Sequence, residues 1–155
     1  MAVTDKQRMI ERLNDLIALD YDAVGAYSAA IDRIEAESLR MSLREFQNDH
    51  LRHIQDLSRA VLSMGGTPRQ KPDVKGFFLK GFTAITSMMG NEAALKAMQG
   101  NEKLTNRTYE QALKESWTEE VHAIIERNFR DEQRHLAFIE NALRLRTWEQ
   151  PGAQV

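Results

Sequence analysis

The sequence predicts an all-α protein, a four-helix bundle of two antiparallel helical hairpins joined by a long crossover that contains a short helix. Three observations carry this reading. Only three prolines occur, Pro68, Pro72 and Pro151, so residues 5–64 and 91–147 are free of the strongest helix breaker. Along both stretches the apolar residues recur at alternating steps of four and three, the period of helices packed in a bundle. The second stretch also repeats the first. Moving 82 positions along the chain carries Asp20 onto Glu102, Tyr27 onto Tyr109, Asp49 onto Asp131, His50 onto Glu132, Arg52 onto Arg134 and His53 onto His135.

Taken in order, the first helix covers about 4–35, with a seam of Met9, Leu13, Leu16, Asp20, Ala23, Tyr27, Ala30 and Ile34. After a turn near Ala36 the second, about 37–64, presents Leu39, Leu43, Phe46, His50, His53, Leu57, Ala60 and Met64. Gly65-Gly66-Thr67-Pro68 ends it, glycine supplying a left-handed cap and proline barring continuation. In the connector, 65–90, Asp73 can cap a helix from about Val74 to Met89 that carries Phe77, Phe78, Phe82 and Ile85. Sixteen helical residues span about 24 Å and eight extended ones about 26 Å. That suffices to run the roughly 40 Å of a long helix, so the second and third helices can lie parallel. The third helix, about 91–116, presents Leu95, Met98, Glu102, Thr105, Tyr109 and Ala112. Ser116 with Glu119 reads as a capping box for the fourth, about 118–147, whose seam is Val121, Ile125, Asn128, Glu132, His135, Ile139 and Ala142. Residues 1–147 make one domain, and 148–155 read as a flexible tail.

Composition narrows the function. The 155 residues carry a net charge of −2, with acidic and basic groups interleaved. The absence of a basic stripe argues against nucleic acid as a partner. There is no cysteine, which excludes disulfides and thiolate metal sites and fits a cytoplasmic protein. No apolar run is long enough to span a bilayer, and the charged N-terminus lacks a signal-peptide core.

The polar residues on the seams then need an explanation. Asp20, His50, His53, Glu102, Glu132 and His135 each lie about 14 to 18 residues from a turn, so they share one band of the bundle. An ionised carboxylate in such a core is costly unless it is paired or coordinated. Residues three apart share a helical face, so His50 with His53, and Glu132 with His135, can grip one centre. Oxygen and imidazole ligands without sulfur suit Fe, Mn or Zn. The competing reading is a hydrogen-bonded polar layer with no metal. Asp49 and Asp131 read equally as surface partners of Arg52 and Arg134, and Tyr27 and Tyr109 as packing. His122 reads as solvated, and the methionines as core filler.

With its "DEQRH" segment the chain resembles the ferritin-like superfamily, of bacterioferritin and rubrerythrin type, and looks most like the small bacterial ferritin-like proteins of unknown function. The resemblance covers nearly the whole chain. It implies a dimetal centre of two Fe ions per chain, or of Mn or Zn. Asp20 and Glu102 would be terminal ligands and Glu132 a bridging one, with His53 and His135 binding one metal each. Asp49 and Asp131 would hold the histidine of the opposite helix from outside, and Tyr27 and Tyr109 would approach the ligand layer as catalytic groups. Two departures stand out. His50 occupies the place of a bridging glutamate, and Asp20 is one methylene shorter than the usual glutamate. Three carboxylates leave two divalent ions with one uncompensated positive charge.

The function expected is a dimetal oxidoreductase or peroxidase acting on O2 or peroxide, in oxidative stress or metal homeostasis. The alternative is a non-catalytic metal-binding protein or a metal-free interaction scaffold. A homodimer through the apolar crossover is expected, whereas a storage cage is disfavoured, because little chain remains for a fifth helix.

Overall fold

A computed structural model describes residues 4–71 and 90–153. The crossover helix expected over 74–89, and the dimer contact expected on it, lie outside the described residues. Among these residues the structure is four long helices and no strand: α1 Asp5–Arg33, α2 Glu37–Ser63, α3 Asn91–Leu113 and α4 Glu119–Leu145, followed by a single 3-10 turn, Thr147–Glu149. The bundle predicted from the seams is present.

Threonine side chains cap α1 and α4, whereas α2 and α3 begin at Ala36 and Gly90 without a side-chain cap. Thr4 caps α1 in a full capping box: its hydroxyl accepts from the Gln7 amide, and the Gln7 side chain accepts from the Thr4 amide. At the other end Ile34 turns the chain into extended backbone after Arg33. Gly65, at φ 80°, closes α2 in the left-handed conformation that glycine adopts without penalty. Next to it Gly66 is closely packed: a Cβ there would lie 2.8 Å from Ile10 Cγ2 and push that side chain aside. The cap of α4 differs from expectation. Thr118, not Ser116, accepts the Val121 amide, because helical geometry starts at Glu119 and only Thr118 then stands at the capping position.

Two ties fix the topology. Asn91 at the start of α3 accepts from the amides of Glu35 (2.9 Å) and Ala36 (3.1 Å) in the α1–α2 turn. At the far end Arg12, early in α1, pairs with Glu115 beyond α3 at 3.3 Å. So α1 and α3 are antiparallel, and α2 and α3 start at the same end and run parallel, as a crossover connection requires. Asn14 anchors the start of that connection, donating to the Thr67 carbonyl and accepting from the Arg69 amide.

The tail expectation is corrected for residues 148–153. Trp148 is buried against the core, and Ala153 is buried with its carbonyl accepting from the amide and hydroxyl of Ser38. Arg146 turns the chain at φ 48°, pairs with Glu92 and Glu149, and stacks on the Trp148 ring. A large ring at the bundle's end outweighs the polar composition around it.

The core is divided. One apolar cluster, including Ile34, Leu39, Leu43, Leu95, Met98 and Ile139, fills the end near the α1–α2 turn. A second, including Leu13, Ile17, Leu57, Val61, Ala112 and Ile125, fills the other end. Burying each such side chain stabilises by roughly 1.5–3 kcal/mol. Between them lies a polar layer. No described helix is long and apolar enough to cross a membrane.

Candidate metal centre

All six polar seam residues point into this middle layer: Asp20 from α1, His50 and His53 from α2, Glu102 from α3, and Glu132 and His135 from α4. Each is wholly buried. They form two overlapping sets, Asp20–His50–His53–Glu132 and His50–Glu102–Glu132–His135, each with potential ligand atoms within 4.8 Å of one another. His50 and Glu132 belong to both.

The outer histidines are oriented from outside. His53 Nε2 donates to Asp131 Oδ2 at 2.9 Å, and His135 Nε2 donates to Asp49 Oδ2 at 2.8 Å, since an ionised carboxylate can only accept. These bonds cross between α2 and α4. They fix a proton on Nε2 and turn Nδ1 inward. His53 Nδ1 then lies 3.1 Å from Asp20 Oδ1 and 3.6 Å from Glu132 Oε1. His135 Nδ1 lies 3.5 Å from Glu102 Oε1 and 3.6 Å from Glu132 Oε2. Both readings of the aspartates hold together: Arg134 reaches Asp49 at 2.7 Å, and Arg52 bonds Asp131. The arginines, roughly half exposed, close the layer toward solvent.

The tyrosines meet the layer from opposite apolar ends, and each bonds the carboxylate of the other half. Tyr27 OH donates to Glu102 Oε1, and Tyr109 OH donates to Asp20 Oδ2 at 2.5 Å. α1 and α3 are antiparallel neighbours, so each ring reaches across to the acid of the other helix. Three more residues surround the acids. The Thr105 hydroxyl contacts both Glu102 Oε2 and Glu132 Oε2 at 3.1 Å, Asn106 donates to the Glu102 and Glu132 carbonyls, and Asn128 donates to Tyr109 OH at 3.4 Å. Thr105 and Asn128 stand on the apolar seams, and that misfit was the available signal. Outside the layer, His122 is exposed beside Glu126.

Burial and mutual charge set the protonation. Burial pushes the Glu132 carboxyl up to about 7, the neighbouring His50 opposing and Glu102 adding to it. For Glu102 burial acts upward too, but the nearby His135 and His50 imidazoles hold it well below the usual carboxylate range. Asp20 likewise, against burial, is held low by the charge of His53 and its bond to His50. Burial would lower His135, yet its bond to Asp49 and the nearby Glu102 and Glu132 carboxylates bring it to about 10. Burial and the adjacent Glu102 hold the Tyr27 phenol protonated, and burial with Asp20 does the same for Tyr109. Without metal, protons on the imidazoles thus balance the acids.

The donor set fits divalent metal. Glu132 Oε1 and His135 Nδ1, both buried, find no hydrogen-bond partner among the described residues. They face neighbouring ligand atoms across 3.4 to 3.6 Å. A tetrahedron of ligands at about 2.1 Å from a cation has edges of about 3.4 Å. Such spacing is too wide for hydrogen bonds and right for atoms sharing an ion.

Comparison with known proteins agrees at the level of fold. The bacterioferritin-related protein of Bacteroides fragilis, described as a dodecameric thioferritin, superimposes with a TM-score of 0.77 at 14% identity, covering 92% of this chain and 88% of that one. A ferritin-like diiron-carboxylate protein of Bacillus anthracis gives 0.74 at 21% identity, over 92% and 99%. The bacterioferritin of Desulfovibrio desulfuricans, a diiron protein, gives 0.75 at 22% identity, over 95% and 83%. The fold is ferritin-like. No curated protein matches the sequence. A family model described as a domain of unknown function (DUF2383) matches residues 8–115, a span that includes Asp20, His50, His53 and Glu102.

Proposed function

This chain belongs to the DUF2383 family, and we propose that it is a ferritin-like metal protein that binds two iron ions in the buried layer and reacts them with O2 or peroxide. The observation that carries the reading is the convergence of three carboxylates and three imidazoles, all wholly buried, on two overlapping ligand sets with unpartnered donor atoms. The diiron chemistry named for the B. anthracis and D. desulfuricans proteins supports iron over manganese or zinc.

In this reading Asp20 and His53 would be the outer ligands of one ion and Glu102 and His135 those of the other, with Glu132 and His50 available to both. Bound iron would supply one-electron redox chemistry toward oxygen species. The chain contributes the setting. Asp49 and Asp131 keep the Nε2 proton on the outer histidines, so that only Nδ1 faces inward. Tyr27 and Tyr109 stay protonated and hold Glu102 and Asp20 in place by donation, which leaves phenol O–H groups beside the centre. Thr105 fixes the two glutamates relative to each other. The apolar clusters above and below exclude water, which strengthens every charge interaction in the layer. A role in metal homeostasis or oxidative stress follows from that chemistry.

The test is stopped-flow mixing of anaerobic, ferrous-loaded protein with air-saturated buffer or peroxide. Oxidation faster than free ferrous ion in the same buffer, abolished in Glu132→Ala, is expected. Iron that binds tightly but oxidises no faster than the protein-free control overturns the redox reading, and leaves a metal-retaining protein.

A further inference from the structure

The place where this chain departs from a four-carboxylate layer carries an inference, which rests on the metal-binding reading above. His53 and His135 each commit Nε2 to an outer aspartate and keep only Nδ1 for the interior. His50 is placed differently. Its Nδ1 lies 2.7 Å from Asp20 Oδ1 and 3.4 Å from Glu132 Oε1, while its Nε2 lies 3.5 Å from Glu102 Oε1. The two nitrogens of one wholly buried ring thus face carboxylates from the two different ligand sets.

Glu132 is divided the same way. Its Oε1 faces the Nδ1 atoms of His50 and His53, and its Oε2 faces His135 Nδ1 and the Thr105 hydroxyl. The His50 ring is also fixed in orientation. Tyr27, His53 and His135 pack around it with ring centroids at 5.4, 5.3 and 5.2 Å. A ring so held can present its nitrogens in opposite directions without turning.

We infer that His50 binds two divalent cations at once, one through each ring nitrogen. With both ring nitrogens bound to metal the ring carries no N–H, so loading replaces each N–H bond of His50 by a nitrogen–metal bond and sends every displaced proton to solvent. No electron is transferred. The ring becomes an imidazolate with one negative charge. Two divalent ions bring four positive charges, the acids Asp20, Glu102 and Glu132 supply three negative ones, and the imidazolate supplies the fourth. The charge left over by the missing glutamate is thereby cancelled. Each ion receives two nitrogens and two oxygens: Asp20, His53, His50 Nδ1 and Glu132 Oε1 on one side, and Glu102, His135, His50 Nε2 and Glu132 Oε2 on the other. A closed four-ligand set of nitrogen and oxygen suits zinc as well as iron.

The inference has a geometric signature independent of any activity. Two metal–nitrogen bonds of about 2.0 Å on either side of the ring separate the ions by roughly 6 Å. Ions sharing an oxygen bridge lie about 3.5–4 Å apart. The full chain is loaded with zinc alone, crystallised, and its zinc positions located by anomalous scattering. Two ions roughly 6 Å apart with the His50 ring between them are expected. In His50→Glu the count is expected to stay at two while the spacing closes to about 3.5–4 Å. Ions already at the short spacing in the native chain, or a single ion held by one His50 nitrogen, overturn the inference and leave metal binding standing. No zinc at all overturns both.

Discussion

At the scale of single residues the outer aspartates are the most instructive. Asp49 and Asp131 touch no proposed metal position, yet each holds the Nε2 of a buried histidine and so decides which nitrogen faces inward. Loss of such a partner typically weakens metal binding 10–100-fold. Asp131→Ala is therefore expected to lower zinc affinity by about that factor in a chelator competition, with the helical circular dichroism unchanged. His135 makes a second prediction, for metal-free protein. Its folded pKa of about 10 exceeds the ordinary 6.5, so the stability it contributes is fully present below pH 6.5 and is lost as pH rises through about 10. Glu132, raised to about 7, acts in the same direction over a lower range, between 4.5 and about 7. The melting temperature of metal-free chain is expected to fall between pH 7 and 10. A flat or rising profile there would show that His135 is not held as a cation by Asp49 and the two glutamates.

At the scale of elements the helices were legible because their seams alternate four and three, and because Gly65-Gly66 and Pro68 mark the end of α2. What was not legible depended on tertiary position. Ser116 and Thr118 both suit a cap, and only the register of α4 selects Thr118. Thr118→Ala is expected to cost about 1 kcal/mol in a denaturation midpoint, and Ser116→Ala distinctly less. Equal costs would contradict the observed register. Trp148 lies among polar residues, and no local pattern announces that it packs under the bundle's end. Trp148→Ala is expected to destabilise by about 3 kcal/mol, the low end of the range for a large ring. An unchanged melting temperature would return the segment to the frayed tail its composition suggests.

At the scale of the whole molecule the chain is a doubled hairpin folded around a charged middle. Internal repetition made that legible: Asp20 on Glu102 and His53 on His135 fall at one height, and the structure brings all six residues of the layer together. The pairing of each tyrosine with the acid of the other half was not legible, because it follows from the antiparallel placement of α1 and α3 and from no spacing within either helix. Nor was the dual facing of His50, which needs the positions of three other helices. The two apolar clusters stabilise the ends, while the centre places three acids where only protons or metal can compensate them. Everything functional follows from which of the two does so. The deciding measurement is elemental analysis of the full chain purified from iron-supplemented cells, without chelators and at neutral pH. The account predicts two transition-metal ions per chain, lost on substitution of Glu132 or His50 by alanine. Native chain that carries no metal, even after reconstitution, and melts at the same temperature with or without added ions would contradict it.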